Sequence, residues 1–179
     1  MEKYQLATLG GGCFWCLEAA FQKLQGVRNV SSGYSGGHKE EPTYKEVCTG
    51  ETGHAEVVQI EFDSDLITYR ELLEVFFFIH NPTTLNRQGA DIGTQYRSVI
   101  FFHDQEQKKV AEEMINQLED EAVYEDPIVT QLVEFDKFYP AEDYHSDYYE
   151  NNKQQPYCNM VISPKLSKFR KKYREKLKD

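Results

Sequence analysis

Cys13 follows three consecutive glycines, Gly10-Gly11-Gly12, and precedes two aromatics and a second thiol, Phe14-Trp15-Cys16. Such a run is suited to sulfur chemistry. Glycines let a backbone turn sharply and come close to a ligand. Apolar residues then recur at spacings of three and four (Phe14, Leu17, Phe21, Leu24), which predicts a helix from Cys13 to about Gln25, closed by Gly26. Cys13 would stand at the start of that helix. Unpaired N–H groups and the positive end of the helix dipole favour a thiolate there. A thiolate beside aromatic rings suits attack on a small, partly apolar group. The alternative is a glycine turn with two core cysteines, because free Cys often packs as a small hydrophobe. Cys13-x-x-Cys16 also has half the spacing of a zinc site, but no second close Cys or His pair completes it, so no metal is expected.

A carboxylate stands out next. His54 to Phe62 reads as a strand with Glu56, Val58, Ile60 and Phe62 on its more apolar face. A carboxyl facing a core resists ionisation and keeps its proton near neutral pH. If the strand instead ends at Glu56, that side chain faces water.

The elements that would position these groups follow from pattern. Tyr4 to Leu9 predicts a strand feeding the glycine turn, and Val27 to Tyr34 a second one. His38 to Thr52, with Tyr44 and Cys48, reads as a loop. Thr68-x-x-Glu71 is a capping box opening a helix through Ile79. Thr83 to Gln95 is a long polar loop, a kind that is often functional. Tyr96 to His103 predicts a strand, Asp104-x-x-Gln107 the cap of a helix, and Pro127 to Phe135 a further strand. Phe138 to Tyr157 reads as an irregular arm packed through its tyrosines. Ser163-Pro164 opens a last helix carrying eight Lys and Arg between Lys165 and Lys178, read as a solvated face. Strand, helix, strand, strand, helix, strand resembles a ferredoxin-like two-layer α+β sandwich, with an irregular C-terminal arm and helix added. We expect one catalytic domain over 1–179, its core at about 4–135 and the arm and basic helix at 136–179.

The 179 residues are enough to bury a core without disulfides. A formal charge of −10 argues against nucleic acid as a partner. Neither a leader-like apolar run at Met1 to Leu6 nor a stretch that would span a membrane is present, so the expected compartment is the reducing cytoplasm. There, cysteines are more often catalytic or metal-bound than bridged. Cys48 is expected to be a buried structural thiol.

Four longer motifs carry a family resemblance: Gly12-Cys13-Phe14-Trp15, Pro42-Thr43-Tyr44-x-Glu46-Val47-Cys48, Thr52-Gly53-His54-Ala55-Glu56, and Gly93-Thr94-Gln95-Tyr96-Arg97-Ser98. With Ala141-Glu142-Asp143-Tyr144-His145 they resemble the A-type peptide methionine sulfoxide reductases over roughly Leu6 to Cys158. The resemblance implies reduction of methionine-S-sulfoxide, in proteins and free, without a cofactor. It makes Cys13 the nucleophile and Glu56 the acid. It places Phe14 and Trp15 around the substrate methyl, makes Tyr44 and Tyr96 hydrogen-bond donors to the sulfoxide oxygen, and gives Asp91 a supporting polar role. A sulfenic acid at Cys13 would condense with a second thiol, Cys158 or Cys16, and thioredoxin would regenerate the dithiol. Asn81 and Ala90 depart from the family pattern at the edge of the Asp91 loop. Two other classes stay open: a general thiol–disulfide oxidoreductase using Cys13-x-x-Cys16, and a binding module for methionine-rich peptides.

Overall fold

The computed structural model describes residues 4–178; Met1 to Lys3, part of the N-terminal run considered above, and Asp179 lie outside it. The elements are β1 (Tyr4–Gly10), α1 (Phe14–Phe21), β2 (Val27–Ser35), α2 (Tyr44–Cys48), β3 (Ala55–Asp63) and α3 (Tyr69–Ile79). There follow β4 (Arg87–Gln88), β5 (Asp91–Ile92), β6 (Val99–Phe102), α4 (Gln105–Asp120), β7 (Gln131–Glu134), β8 (Tyr139–Pro140), α5 (Tyr148–Asn151) and α6 (Ser163–Lys172). This is an α+β protein. Its main sheet has six strands in the order β7-β6-β1-β3-β2-β8, antiparallel except for the β6–β7 pair. β4 and β5 form a separate small hairpin.

Alternation along the strands sorts the side chains onto two faces. Ala7, Leu9, Val58, Ile60, Phe62 and Ile100 pack with the helices in the main core. Ala55, Val57, Val99 and Phe101 point the other way, against Phe135 and Phe138. Helix α3 is set by its capping box at Thr68 and Glu71, as the sequence predicts, and buries Leu72, Leu73, Val75 and Phe76 completely. Each such side chain contributes about 1.5–3 kcal/mol of burial free energy. Asp104 caps α4 by accepting the Gln107 N–H at 2.8 Å.

Several expected boundaries move. Helix α1 ends at Phe21 rather than near Gln25, because Lys23 and Leu24 turn back onto the carbonyls of Ala20 and Phe21. Gly26 does not cap that helix. At φ +91° it shapes the turn into β2, and its carbonyl accepts the Asp63 N–H. The segment expected to be a loop from His38 to Thr52 contains α2, nucleated by a second capping box at Thr43 and Glu46. Its last residue, Cys48, is exposed rather than buried. Tyr96 belongs to a 3-10 turn, Thr94–Tyr96, and the strand expected from Tyr96 begins only at Val99. The strand expected from Pro127 is confined to β7. Within the expected Thr83–Gln95 loop the β4–β5 hairpin turns through Gly89 at φ +59°. No helix among the described residues is long and apolar enough to cross a membrane.

Candidate active site

The sheet topology brings Cys13 to Glu56. Because β1 and β3 are antiparallel, the C-terminal end of β1 lies beside the N-terminal end of β3, with Leu9 opposite Val58. Gly10 has no room for a side chain; a Cβ there would meet the Glu56 carbonyl oxygen at 2.9 Å. The chain then turns through Gly12 at φ +93° and delivers Cys13 as the extended N-cap of α1. A free N–H of the first helical turn, that of Phe14, donates to Oε1 of Glu56 at 3.1 Å. One hydrogen bond therefore ties the acid to the residue after the thiol.

The turn itself is held from outside. A Cβ on Gly12 would sit 2.7 Å from the Gln88 side chain. That amide cannot swing away easily, because it accepts the Asn81 N–H at 2.9 Å and donates to the Asn81 carbonyl at 3.0 Å. Gly12→Ala is thus expected to cost about 1–3 kcal/mol in urea unfolding, from left-handed backbone strain plus overlap. It should lower kcat/KM at least about tenfold by displacing Cys13, since small misplacements of reacting groups are costly. Unchanged unfolding and unchanged kinetics together would show that the turn tolerates a side chain.

Glu56 lies on the core side of β3, fully buried. Burial raises its pKa to about 8; the nearby Asp91 pushes the same way, and the Phe14 N–H only partly opposes them. Its Oε2 has no hydrogen-bond partner among the described residues. A carboxyl in this state holds a proton at neutral pH with an oxygen free to present it.

The expectation of a resting thiolate at Cys13 is corrected. Burial raises the thiol well above its ordinary pKa, Glu56 adds to this once it ionises, and the Trp15 N–H opposes them only in part. The helix start does supply a donor, but desolvation outweighs it. In the unliganded protein Cys13 is a thiol. Tyr44 and Tyr96 are raised as well, chiefly by burial and then by Glu56, so both remain phenols able to donate.

A cavity of about 310 Å³ collects most of the expected residues: Cys13, Trp15, Tyr44, Asp91 and Tyr96. Its opposite wall comes from the C-terminal arm: Tyr148, Gln155, Pro156, Tyr157 and Cys158. Cys158 therefore shares a cavity with Cys13. Cys16 does not line it; it is buried on α1, with its thiol pushed up to about 11 by desolvation. Phe14 is fully buried and stands behind the wall, its ring 6.2 Å from that of Tyr44. Two larger hollows, of about 720 and 810 Å³, lie elsewhere and line no cysteine. Chemistry rather than size marks out the smaller one. Among the described residues no group of three or more His, Cys, Asp or Glu is placed to hold a metal.

Apart from Cys158, no residue of the arm was expected at the cavity. Tyr148 stacks on Trp15 at 3.7 Å between ring centroids and 10° between planes. The Tyr157 hydroxyl donates to Asp91 at 2.5 Å. Glu142 accepts both the Tyr34 hydroxyl at 2.9 Å and the Tyr44 N–H at 2.8 Å, and so holds the start of α2. His145 is fully buried and accepts the Trp15 indole N–H at 2.9 Å. The signals in the sequence were the density of tyrosines after Phe138 and the Ala141–His145 motif, and neither says which ring meets which.

Comparison with known proteins is consistent with this geometry. A family model described as peptide methionine sulfoxide reductase matches residues 5–177. The chain is 59% identical over 174 residues to a peptide methionine sulfoxide reductase MsrA of Saccharolobus solfataricus, covering 97% of both chains. It is 60% identical over 172 residues to that of Sulfolobus acidocaldarius, covering 96% of this chain and 97% of the relative. Among solved structures, reduced Mxr1 from Saccharomyces cerevisiae superposes with a TM-score of 0.81 at 36% identity, covering 87% of this chain and 90% of that one. Mxr1 in complex with Trx2 matches with a TM-score of 0.53 at 27% identity, covering 82% and 85%.

Proposed function

The chain belongs to the peptide methionine sulfoxide reductase family, and from that premise we propose that it reduces methionine-S-sulfoxide, free or within proteins, through a sulfenic acid at Cys13 and an intramolecular disulfide that thioredoxin reopens. The observation that carries this reading is the pairing of a buried, protonated Glu56 with Cys13 behind a cavity that has two tyrosine donors and an indole wall.

The substrate methyl lies against Trp15, with Phe14 supporting from behind. The sulfoxide oxygen accepts from Tyr44 and Tyr96, and Glu56 supplies its proton as the Cys13 sulfur attacks. The oxygen passes to Cys13: thiol plus sulfoxide gives sulfenic acid plus thioether. The substrate sulfur is reduced and Cys13 oxidised by two electrons; the proton from Glu56 ends on the sulfenic oxygen, and the thiol proton returns to the Glu56 carboxylate, so the acid is restored. Asp91, with Tyr157, borders the polar end of the substrate. A second thiol then attacks the sulfenic sulfur and releases water. We assign that step to Cys158, which lines the cavity with Cys13, ahead of Cys16, which does not. The reductant is thioredoxin; the match to an Mxr1 structure in complex with Trx2 supports it. The same reading treats 1–179 as one catalytic domain with a ferredoxin-like core, supported by the β6-β1-β3-β2 order, and places it in the cytoplasm without nucleic acid or membrane partners.

A general thiol–disulfide oxidoreductase would need Cys16 accessible and would have no use for Glu56. Two measurements test the proposal. A thioredoxin-coupled assay should consume the S epimer and spare the R epimer; equal turnover of both would overturn the stereochemical assignment. Mass spectrometry after one turnover without reductant should find Cys13 bridged to Cys158. A Cys13–Cys16 bridge formed at the same rate in Cys158→Ser would transfer the resolving role to Cys16.

A further inference from the structure

Trp15 forms a wall of the cavity, and two contacts fix its indole: one with Tyr148, another residue of the cavity lining, and one with His145, outside that lining. Stacking on Tyr148 sets the plane of the ring. Stacking alone leaves the ring able to slide and to rotate within that plane, because a π face has no preferred in-plane direction. The remaining freedom is removed at the indole nitrogen, whose N–H donates to His145 Nδ1 at 2.9 Å across 130 residues of chain.

His145 is well placed to hold that bond. An imidazole nitrogen that accepts must carry its lone pair, so the ring proton belongs on Nε2. Nε2 is buried and has no partner among the described residues. A neutral ring suffices for the acceptor role, and burial favours the neutral form. The ring itself is boxed in by Tyr144 at 4.1 Å, Tyr44 at 4.4 Å and Phe14 at 5.0 Å between centroids. It therefore touches Trp15 and Tyr44, two walls of the cavity, without lining the cavity. A histidine needed only for packing would be replaceable by another ring of its size; one that orients the indole is not.

We propose that His145 is a positioning residue that sets the angle of the Trp15 indole, and thereby the preference of the site for a methyl group over larger alkyl groups on the sulfoxide sulfur. This rests on the assignment of Trp15 to the methyl subsite. A rigid indole leaves room for one carbon, whereas a ring free to slide accepts two.

Trp15 is the single tryptophan of the chain, so its fluorescence reports on this residue alone. In His145→Phe, time-resolved anisotropy should gain a fast depolarising component absent from the native protein. The KM for methionine-S-sulfoxide should rise about fivefold, from loss of one net hydrogen bond, with kcat within about twofold. The methyl-over-ethyl ratio of kcat/KM, measured with the S-ethyl homologue of methionine sulfoxide, should fall at least about threefold. In His145→Asn, whose Oδ1 occupies roughly the place of Nδ1, anisotropy and ratio should both return toward native values. Native anisotropy and ratio in a folded His145→Phe protein would overturn the inference, as would a His145→Asn protein no better than His145→Phe. Should the phenylalanine variant not fold, Trp15→Phe takes its place. Adding His145→Asn to that background should change neither KM nor the ratio, and a further loss would overturn the inference. The subsite assignment fails separately: Trp15→Ala with native KM and ratio would remove it whatever His145 does.

Discussion

Cys13→Ser is expected to reduce turnover of methionine-S-sulfoxide below about one ten-thousandth of the native rate, equivalent to about 5.5 kcal/mol of transition-state stabilisation. Serine matches the thiol in shape, so the N-cap, the glycine turn and the Phe14–Glu56 bond should survive. Only the sulfur is lost, and no hydroxyl accepts an oxygen atom as a thiol does. Release of methionine in a single turnover with a chemical dithiol is the direct measurement, because it does not depend on thioredoxin docking. A trap for sulfenic acid should label the native protein and leave the variant unlabelled. Turnover near the native rate would move the nucleophile to another thiol. Cys158 would then be the first to test, because it is the other cysteine facing the cavity.

Glu56→Gln should slow the same step by about 10²–10⁴-fold, the usual range for a lost general acid. The amide can still accept the Phe14 N–H, so the site should stay assembled, but it has no proton to transfer. The native protein should also lose rate as pH rises through about 8, where Glu56 ionises. That limb should be missing from the variant. A native-like rate in the variant would assign the proton to a tyrosine or to water.

The same pKa has a consequence for stability. The folded protein keeps the Glu56 proton up to about pH 8, whereas an unfolded chain releases it near 4.5. The folded state therefore binds more protons across that window, and native stability falls as pH rises from 4.5 to 8. The contribution is complete below 4.5 and lost above 8. Glu56→Gln, which cannot ionise, should unfold at a higher temperature than the native protein at pH 8.5 and show a flatter dependence below it. A variant less stable than the native protein at pH 8.5 would show that the carboxyl is not held in its neutral form.

The local code of this chain determined a good deal. The period-2 run at β3 put Glu56 on the apolar face, because alternation along a strand sorts side chains whatever the strand packs against. The capping box at Thr68 fixed the start of α3, because its reciprocal bonds are satisfied within four residues. The glycine turn placed Cys13 at a helix start for an equally local reason. The second box, Thr43-x-x-Glu46, was equally legible, but it lay in a polar segment with little apolar periodicity.

Tertiary structure alone decided the charge state of Cys13. Helix-start donors are a local property and favour a thiolate, whereas desolvation comes from segments that only the fold packs around the thiol, and Glu56, 43 positions away in sequence, adds to it once ionised. The long-range terms win, and the resting group is a thiol. Tertiary structure also decided which thiol shares the cavity. Sequence spacing put Cys16 one turn from Cys13, but helix geometry turns Cys16 into the core, while the arm returns from the far end of the chain to bring Cys158 to the site. The arm's aromatic contacts, Tyr148 and His145 on Trp15 and Tyr157 on Asp91, join positions more than sixty residues apart. No periodicity encodes such meetings. They exist because the folded sheet carries both ends of the chain to one edge of the cavity.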